Sequence, residues 1–451
     1  MERKVTVNDM MMARDSRASL QRKMTGRYGT PVISFTMNIA GPVKTGAAIK
    51  RTFDWGKERL LEELRKGSVG IKEMSCSYAF TGYECMIACD SKGSALKKIC
   101  EAIEEGSPAG RLFDMDVVLP DGTQIRREHE RSCIVCGKTG KGCSSRRTHS
   151  LNEILEATER LIREQFLHFD SIKAGKMVVK ALNEEVNTTP KPGLVDRNNN
   201  GSHSDMDPEL FKKSASSLES YFAGCFAVGA EHRQDRAEEV FEVIKELGTE
   251  AEKRMFSVTG GVNTHKGAIY TLGIISCAIG RLWEPGRPER DPKVIGKECS
   301  RLTERSVTEH FEGLSEKKAR TSGDRAYLEY GLKGIRGEAA EGLPSVVSVS
   351  LPVFRECMEN GYSLNDSAVY ALLHLIALGK DTNMYARGGK ERAERASEAV
   401  RFLTEKEKYP PLKQIEELDM AFMEENLSPG GCADLLAATI FLYEWCCSEI
   451  A

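Results

Sequence analysis

Asp114 and Asp116 flank a methionine inside the apolar run Leu112 to Leu119, LFDMDVVL. In a strand, alternate side chains share a face, so the two carboxylates would stand side by side and attract a divalent cation. Mg²⁺ held that way also binds substrate phosphates and favours in-line attack on phosphorus. An edge strand showing its acids to water is the plainer alternative. Asn38, Gly41 and Lys44 follow the run Pro31 to Met37, where a turn can offer backbone N–H groups and one ammonium to a phosphate. Arg14 and Arg17, with Gln21, fall at helical spacing on one face, as a phosphate clamp or as a solvated surface. Cys133, Cys136, Cys143 and His149 spell C-x2-C-x6-C-x5-H, ligand types suited to a structural zinc site. Lys138, Lys141, Arg146 and Arg147 surround them, which leaves phosphate binding or a reduced thiol cluster as alternatives.

Further along, polar and charged residues crowd beside glycines in a series of loops. Thr189 to Arg197 carries Lys191 and Arg197, presented by the stiffening Pro190 and Pro192. Gly201 to Asp207 adds His203, Asp205 and Asp207; the two acids could share Mg²⁺, or could open a helix before Pro208. Gly260 to Gly267 contains Gly260, Gly261, His265 and Lys266 and leads into an apolar helix, where free amides and Lys266 suit an anion. Its spacing is not that of a P-loop. Arg336 and Glu338 stand in Tyr330 to Ala339, Asp381 and Arg387 in Asp381 to Gly389, and a last glycine pair in Asn426 to Asp434. Any one of these could be a helix connection. Together they are better explained as one shared site between helices.

The elements that must hold these residues change character near residue 150. Before it, Pro31 to Met37, Glu84 to Cys89 and Leu112 to Leu119 read as strands, and Glu58 to Lys66 and Ser94 to Glu105 as helices. Asp121-Gly122 marks a turn that would pair the Asp114 strand with Thr123 to Arg127. After it, Ser150 to Glu153 fits a capping box, and nearly every periodic segment is helical: Leu210 to Phe226, Ala237 to Ala251, Ala268 to Leu282, Ala368 to Leu378 and Ala433 to Trp445. Glu284 to Arg325 reads as a polar excursion over the surface. The expectation is a multidomain protein, α+β over residues 1–150 and mostly α-helical over 151–451, in keeping with a 451-residue chain too long for one core.

Residues 1–150 hold 26 Lys and Arg against 18 Asp and Glu, a net of +8 in a chain whose total is -3. A basic front half suits an anionic partner, although chance asymmetry between solvated surfaces would look the same. Few aromatics interleave with the basic residues, which argues against nucleic acid. The longest apolar run, Ala268 to Gly280, is too short to span a bilayer. With no apolar stretch of signal-peptide type near the start, the 14 cysteines are expected to be mostly reduced thiols of a cytoplasmic protein.

Arg14 to Arg17, Thr36 to Lys44, Gly110 to Val117 and Cys133 to His149 together resemble the apo-citrate lyase phosphoribosyl-dephospho-CoA transferases. The resemblance implies a nucleotidyltransferase-type domain that transfers a triphosphorylated prosthetic-group precursor to a serine of the citrate lyase acyl carrier (γ) subunit, releasing pyrophosphate. Ala40 stands where that family often has proline, and Lys44 is kept. The loop motifs from about residue 180 onward, in their order, resemble triphosphoribosyl-dephospho-CoA synthase. That family joins ATP to 3′-dephospho-CoA: the CoA ribose 2′-hydroxyl attacks C1′ of the ATP ribose and adenine leaves. On this resemblance Lys191, Arg197, Lys266 and Arg387 bind phosphates, with His203, Gly260, Gly261, His265 and Arg336 also at the nucleotides. Asp205, Asp207 and Asp381 are Mg²⁺ candidates, and Glu338 the base. Cys432 replaces the family's serine. Two other readings are the same chemistry serving the malonate decarboxylase carrier, and a non-catalytic nucleotide or CoA sensor.

Overall fold

The computed structural model describes residues 3–139 and 142–447; Lys141 of the basic cluster lies outside them. The chain forms two compact units, residues 1–168 with 284–287, and residues 169–283 with 288–451.

The first unit is a four-stranded antiparallel sheet with helices. Helix α1, Val7–Tyr28, begins at a capping box between Thr6 and Asp9 and ends at Gly29, whose φ of 63° is left-handed. Strand β1, Val32–Met37, is followed by α2, Ala47–Lys66, then β2, Gly70–Ala79, β3, Gly82–Asp90, α3, Gly93–Glu105, and β4, Phe113–Val118. The strand order is β2-β3-β1-β4, so the apolar β1 is central and β2, exposed along most of its length, is an edge. Ile33, Phe35, Ile87, Phe113, Met115 and Val117 fill one face against Phe53, Leu60 and Leu64 of α2 and Leu96 and Cys100 of α3. On the other face Val32, Met86 and Ala88 pack against Met24 of α1. The register sets Asp114 opposite Thr36 and Asp116 opposite Ser34, so period two places both carboxylates on this second face.

Three expectations need correcting here. The helix at Glu58 starts eleven residues earlier, at Ala47. Strand β2 was not anticipated, since its residues Gly70 to Ala79 are largely exposed and lack clean alternation. The hairpin after Asp121-Gly122 closes with a single bridge between Val118 and Gln124 and forms no strand over 123–127. Arg127 instead turns back to the buried Glu104, at 2.6 Å.

A short helix α4, Gly142–Ser145, precedes α5, Leu151–Asn187, a single helix in which the division between the two units falls. The second unit continues with α6, Pro208–Ser217, α7, Glu219–Glu231, α8, Ala237–Thr259, α9, Lys266–Arg281, and α10, Pro292–Glu312. It closes with α11, Ser322–Tyr330, α12, Gly334–Ala340, α13, Leu351–Glu359, α14, Leu364–Ile376, α15, Thr382–Lys406, α16, Leu412–Glu424, and α17, Gly430–Cys447. Helix α9 is buried along almost its whole apolar length and packs on α7, α8, α10 and α17. It approaches α7 closely because a Cβ on Gly280 would stand 2.1 Å from the Phe226 carbonyl, so only glycine fits there. The expected helix over Leu210 to Phe226 is broken at Leu218 into α6 and α7. The segment Glu284 to Arg325 is not a surface excursion: α10 within it buries Ile295, Cys299, Leu302, Val307 and Phe311 against α8, α9 and α12. Their spacing follows a helical stripe that the many charged residues between them disguise. No helix among the described residues is long and apolar enough to cross a membrane.

Candidate active sites

In the first unit, Asp114 is exposed and Asp116 half-buried on the face that α1 partly covers. Burial, then the charge of Asp114, raises Asp116 above the usual carboxylate range, while Lys97, Arg131 and Arg17 pull it down. Asp116 Oδ2 accepts a hydrogen bond from Gln124 Nε2 at 2.9 Å. Arg17 pairs with Glu84, which lies across Thr36 from Asp114 in the ladder. Lys44 Nζ donates to the Ile39 carbonyl, folding the turn after β1 on itself. Burial, then the nearby Arg14, lowers the pKa of Lys44. Asn38 is fixed through its backbone N–H to the Leu112 carbonyl at 2.8 Å, beside the start of β4. Strand β4, the turn at Asn38 and the middle of α1 thus bring Asp114, Asp116 and Arg17 to one end of the sheet face.

Also in this unit, one ligand atom each from Cys133, Cys136, Cys143 and His149 falls within 4.8 Å of the others. Among the described residues no other group of three or more His, Cys, Asp or Glu gathers in this way.

In the second unit a cleft of about 750 Å³ opens among the loops that the sequence singled out. Lys191, His203, His265, Lys266, Arg336, Glu338, Asp381 and Arg387 line it. Arg197, Asp205, Asp207, Gly260 and Gly261 do not. Arg197 instead donates to Asn365 Oδ1 at 3.0 Å. Asp207 caps α6 by accepting from the Leu210 amide at 2.8 Å, with Pro208 in the first turn. Gly260 ends α8 in a left-handed conformation, φ 67°.

Several cleft residues are held tightly by their own surroundings. Lys191, 1% exposed, pairs with Glu185 Oε1 at 2.5 Å and donates to the Glu185 carbonyl at 2.8 Å. Burial raises the pKa of Glu185 against the pull of Lys191. Asp196 shapes the loop around Lys191, accepting from Thr189 Oγ1 at 2.6 Å and from the amides of Asn198 and Asn199. Asp381 caps α15 through the amides of Asn383 and Met384 and takes the Cys432 amide on its other oxygen at 2.8 Å. Burial nevertheless raises Asp381 above the usual range. Arg387 donates to the Ser202 and Asn426 carbonyls and so ties two loops together. Arg336 bonds Asp324 Oδ1 and His310 Nε2, both at 2.8 Å. Glu338 takes the Ser345 hydroxyl on one oxygen at 2.5 Å and the Ser345 amide on the other at 3.1 Å. His265 is buried with Nδ1 on Ser214 Oγ at 2.8 Å, and Nε2 has no hydrogen-bond partner among the described residues. Burial, aided by Lys191, pushes its pKa down to about 3, so the ring is neutral. His203 is lowered by burial and by Arg387, and its Nε2 lies 2.9 Å from Ser428 Oγ.

Asp434, Glu185, Lys333 and Lys380 also line the cleft and were not picked out from the sequence. Asp434 sits against the start of α9, where a Cβ on Gly267 would stand 1.9 Å from its Oδ2, and it accepts the Ala268 amide. Burial, then Glu185 and Asp381, raises Asp434 well above the usual carboxylate range. The Asn426 to Asp434 motif contained it, but an acid inside a helix with an apolar neighbour gives no local sign of a cleft. Glu185 lies in the helical run of α5, away from any glycine.

The whole sequence is 32% identical to Protein CitXG of Haemophilus influenzae, over 97% of this chain and 96% of that protein. It is 30% identical to Protein CitXG of Leuconostoc mesenteroides, over 95% of each. The chain belongs to the CitXG family. Residues 5–165 match the CitX family, apo-citrate lyase phosphoribosyl-dephospho-CoA transferase, and residues 172–448 the CitG family, ATP:dephospho-CoA triphosphoribosyl transferase. The latter part is also 37% identical to a probable 2-(5''-triphosphoribosyl)-3'-dephosphocoenzyme-A synthase of Vibrio cholerae, over 60% of this chain and 87% of that protein. The chain is thus a bifunctional enzyme, a transferase followed by a synthase. The sheet face with Asp114 lies in its CitX part, and the cleft with Glu338 and Asp434 in its CitG part.

Proposed function

We propose that the CitG unit joins ATP to 3′-dephospho-CoA through its large cleft, and that the CitX unit passes the product to a serine of the citrate lyase acyl carrier (γ) subunit. The convergence of separate loops on one cleft of about 750 Å³, with ammonium groups and carboxylates among its lining residues, carries this reading. Lys266, Lys333 and Lys380 are exposed at its rim and suit the triphosphate, which brings its Mg²⁺ with it. Lys191 and Asp381, committed to internal partners, shape the wall. Glu338, oriented by Ser345, accepts the proton of the attacking CoA 2′-hydroxyl as its oxygen bonds to C1′ of the ATP ribose. As the bond from C1′ to adenine breaks, Asp434 supplies a proton to the departing base. A carboxyl whose pKa is raised keeps that proton over a wider pH range.

In the CitX unit, which we read as nucleotidyltransferase-type, Asp114 and Asp116 would hold a Mg²⁺ that draws charge from the triphosphate, and Arg14, Arg17, Asn38 and Lys44 would take its oxygens. The serine oxygen bonds to the phosphorus next to the ribose and pyrophosphate leaves. A cytoplasmic setting, where ATP and reduced thiols are abundant, fits both steps. Incubating the purified protein with ATP, 3′-dephospho-CoA and Mg²⁺ and following adenine by chromatography tests the first step. Stoichiometric adenine supports it, and folded protein that yields none overturns it.

A further inference from the structure

We propose that Cys133, Cys136, Cys143 and His149 bind one structural zinc ion in the CitX unit and thereby hold the segment after β4 in place. Three thiols and an imidazole are the ligand types of closed, tetrahedral zinc sites, with Zn–S near ~2.3 Å and donors therefore roughly 3.3–3.8 Å apart. The Cys136 and Cys143 sulfurs are 3.5 Å apart, and the whole set lies within 4.8 Å.

The backbone builds this cluster with separate devices. Ser132 and Thr139 form a bridge, the Cys133 amide donates to the Lys138 carbonyl, and the Gly137 amide donates back to the Cys133 carbonyl. Gly137 has a φ of 70°, which closes the turn tightly enough for both cysteines to face one point. The Val135 amide points at Cys133 Sγ at 3.4 Å, as it would toward a metal-bound thiolate. Helix α4 then returns Cys143, and the Thr148 amide on the Cys143 carbonyl carries the chain to His149. The Nε2 of His149 is buried without a hydrogen-bond partner among the described residues.

Neither other explanation of the cluster fits as well. Cysteines that serve as packing residues in this unit, Cys85, Cys89 and Cys100, are fully buried in the core, whereas Cys136 is exposed and Cys133 and Cys143 are half-buried. Phosphate would engage Lys138, Arg146 and Arg147, all exposed, and would leave three converging sulfurs unexplained.

The site is tied to the transferase strand. Arg111 Nη2 donates to the Ser132 carbonyl at 2.5 Å and to Ser132 Oγ at 3.0 Å, one residue before Cys133. Arg131 Nη1 donates to the carbonyl of Phe113, the neighbour of Asp114, at 2.5 Å. Zinc loss therefore loosens the start of β4 and lowers carrier modification, while adenine release in the other unit continues.

Zinc and iron are measured by mass spectrometry on the full-length protein, purified without chelator or added metal. The expected result is about one zinc per chain, falling below about 0.1 in the Cys133→Ser/Cys143→Ser double variant. Carrier modification is expected to fall at least about tenfold in that variant, with adenine release kept. Folded wild-type protein that modifies the carrier with less than about 0.1 zinc, or that holds iron instead, overturns the proposal. So does wild-type zinc content in the double variant. The wild-type measurement decides the question even where the double variant does not fold.

Discussion

Gly267→Ala probes the CitG cleft at its tightest point. The new Cβ would stand 1.9 Å from Asp434 Oδ2 and 2.9 Å from its Cγ. Ordinary contact begins at 3.4 Å, so the carboxyl must withdraw by about 1.5 Å. It then gives up the Ala268 amide, a hydrogen bond of the kind that contributes about 0.5–1.5 kcal/mol when the carboxyl is protonated. A displacement of about 1 Å at a reacting group lowers a rate on the order of 10²-fold. The helix itself does not suffer, since Gly267 is only the second residue of α9 and Ala is favoured over Gly in a helix. The expected outcome is a roughly hundredfold loss of adenine release from ATP and 3′-dephospho-CoA. Loading of preformed triphosphoribosyl-dephospho-CoA onto the carrier should be unchanged. Adenine release within about threefold of wild type would refute the placement of Asp434 at the reacting atoms.

Asp114→Asn should lower carrier loading by at least about 10²-fold and leave adenine release at the wild-type rate, as measured by carrier mass and chromatography. Lys191→Met leaves Glu185 buried without its partner and should destabilise the CitG unit by about 3–5 kcal/mol, read from its denaturant unfolding transition. Equal stability would show that the pair is not buried as described. His265 carries a proton in the unfolded chain below pH 6.5 but not in the folded one until about pH 3, so this histidine favours the fold at neutral pH and disfavours it in between. On lowering the pH from 7.5 to 5.5, wild type should lose about 1.4 kcal/mol more than His265→Gln in urea unfolding. Parallel losses would contradict a neutral, buried ring.

Local signals in the sequence reported some of this molecule well. Asp114 and Asp116 were legible because a two-residue period inside an apolar run fixes which face they share, and the ladder with Thr36 and Ser34 has that register. The glycine-flanked loops were legible as a set, and most of their charged residues do reach one cleft. Local signals failed where tertiary packing assigns the role. Composition alone leaves Asp207 open between metal ligand and helix cap and marks Asp381 as a metal candidate; in the fold each carboxylate accepts helix amides, a role set by backbone direction. Helix α10 hides the buried apolar residues Ile295, Cys299, Leu302, Val307 and Phe311 among charges, so its polarity misled. Glu185 and Asp434 come together only because α5 and α17 bound the same cleft, and neither helix carries a local mark of that meeting. Strand β2 pairs with β3 through its backbone while its side chains stay largely exposed, so no apolar alternation announced it.

The most direct test of the bifunctional account places ATP, 3′-dephospho-CoA, Mg²⁺, the full-length protein and the apo-carrier of citrate lyase in one tube. The intact mass of the carrier and the adenine released are measured together. The account predicts a carrier heavier by one phosphoribosyl-dephospho-CoA group, with one adenine formed for each group attached. A carrier that gains an adenylyl group instead, or gains the full group without adenine, would contradict it.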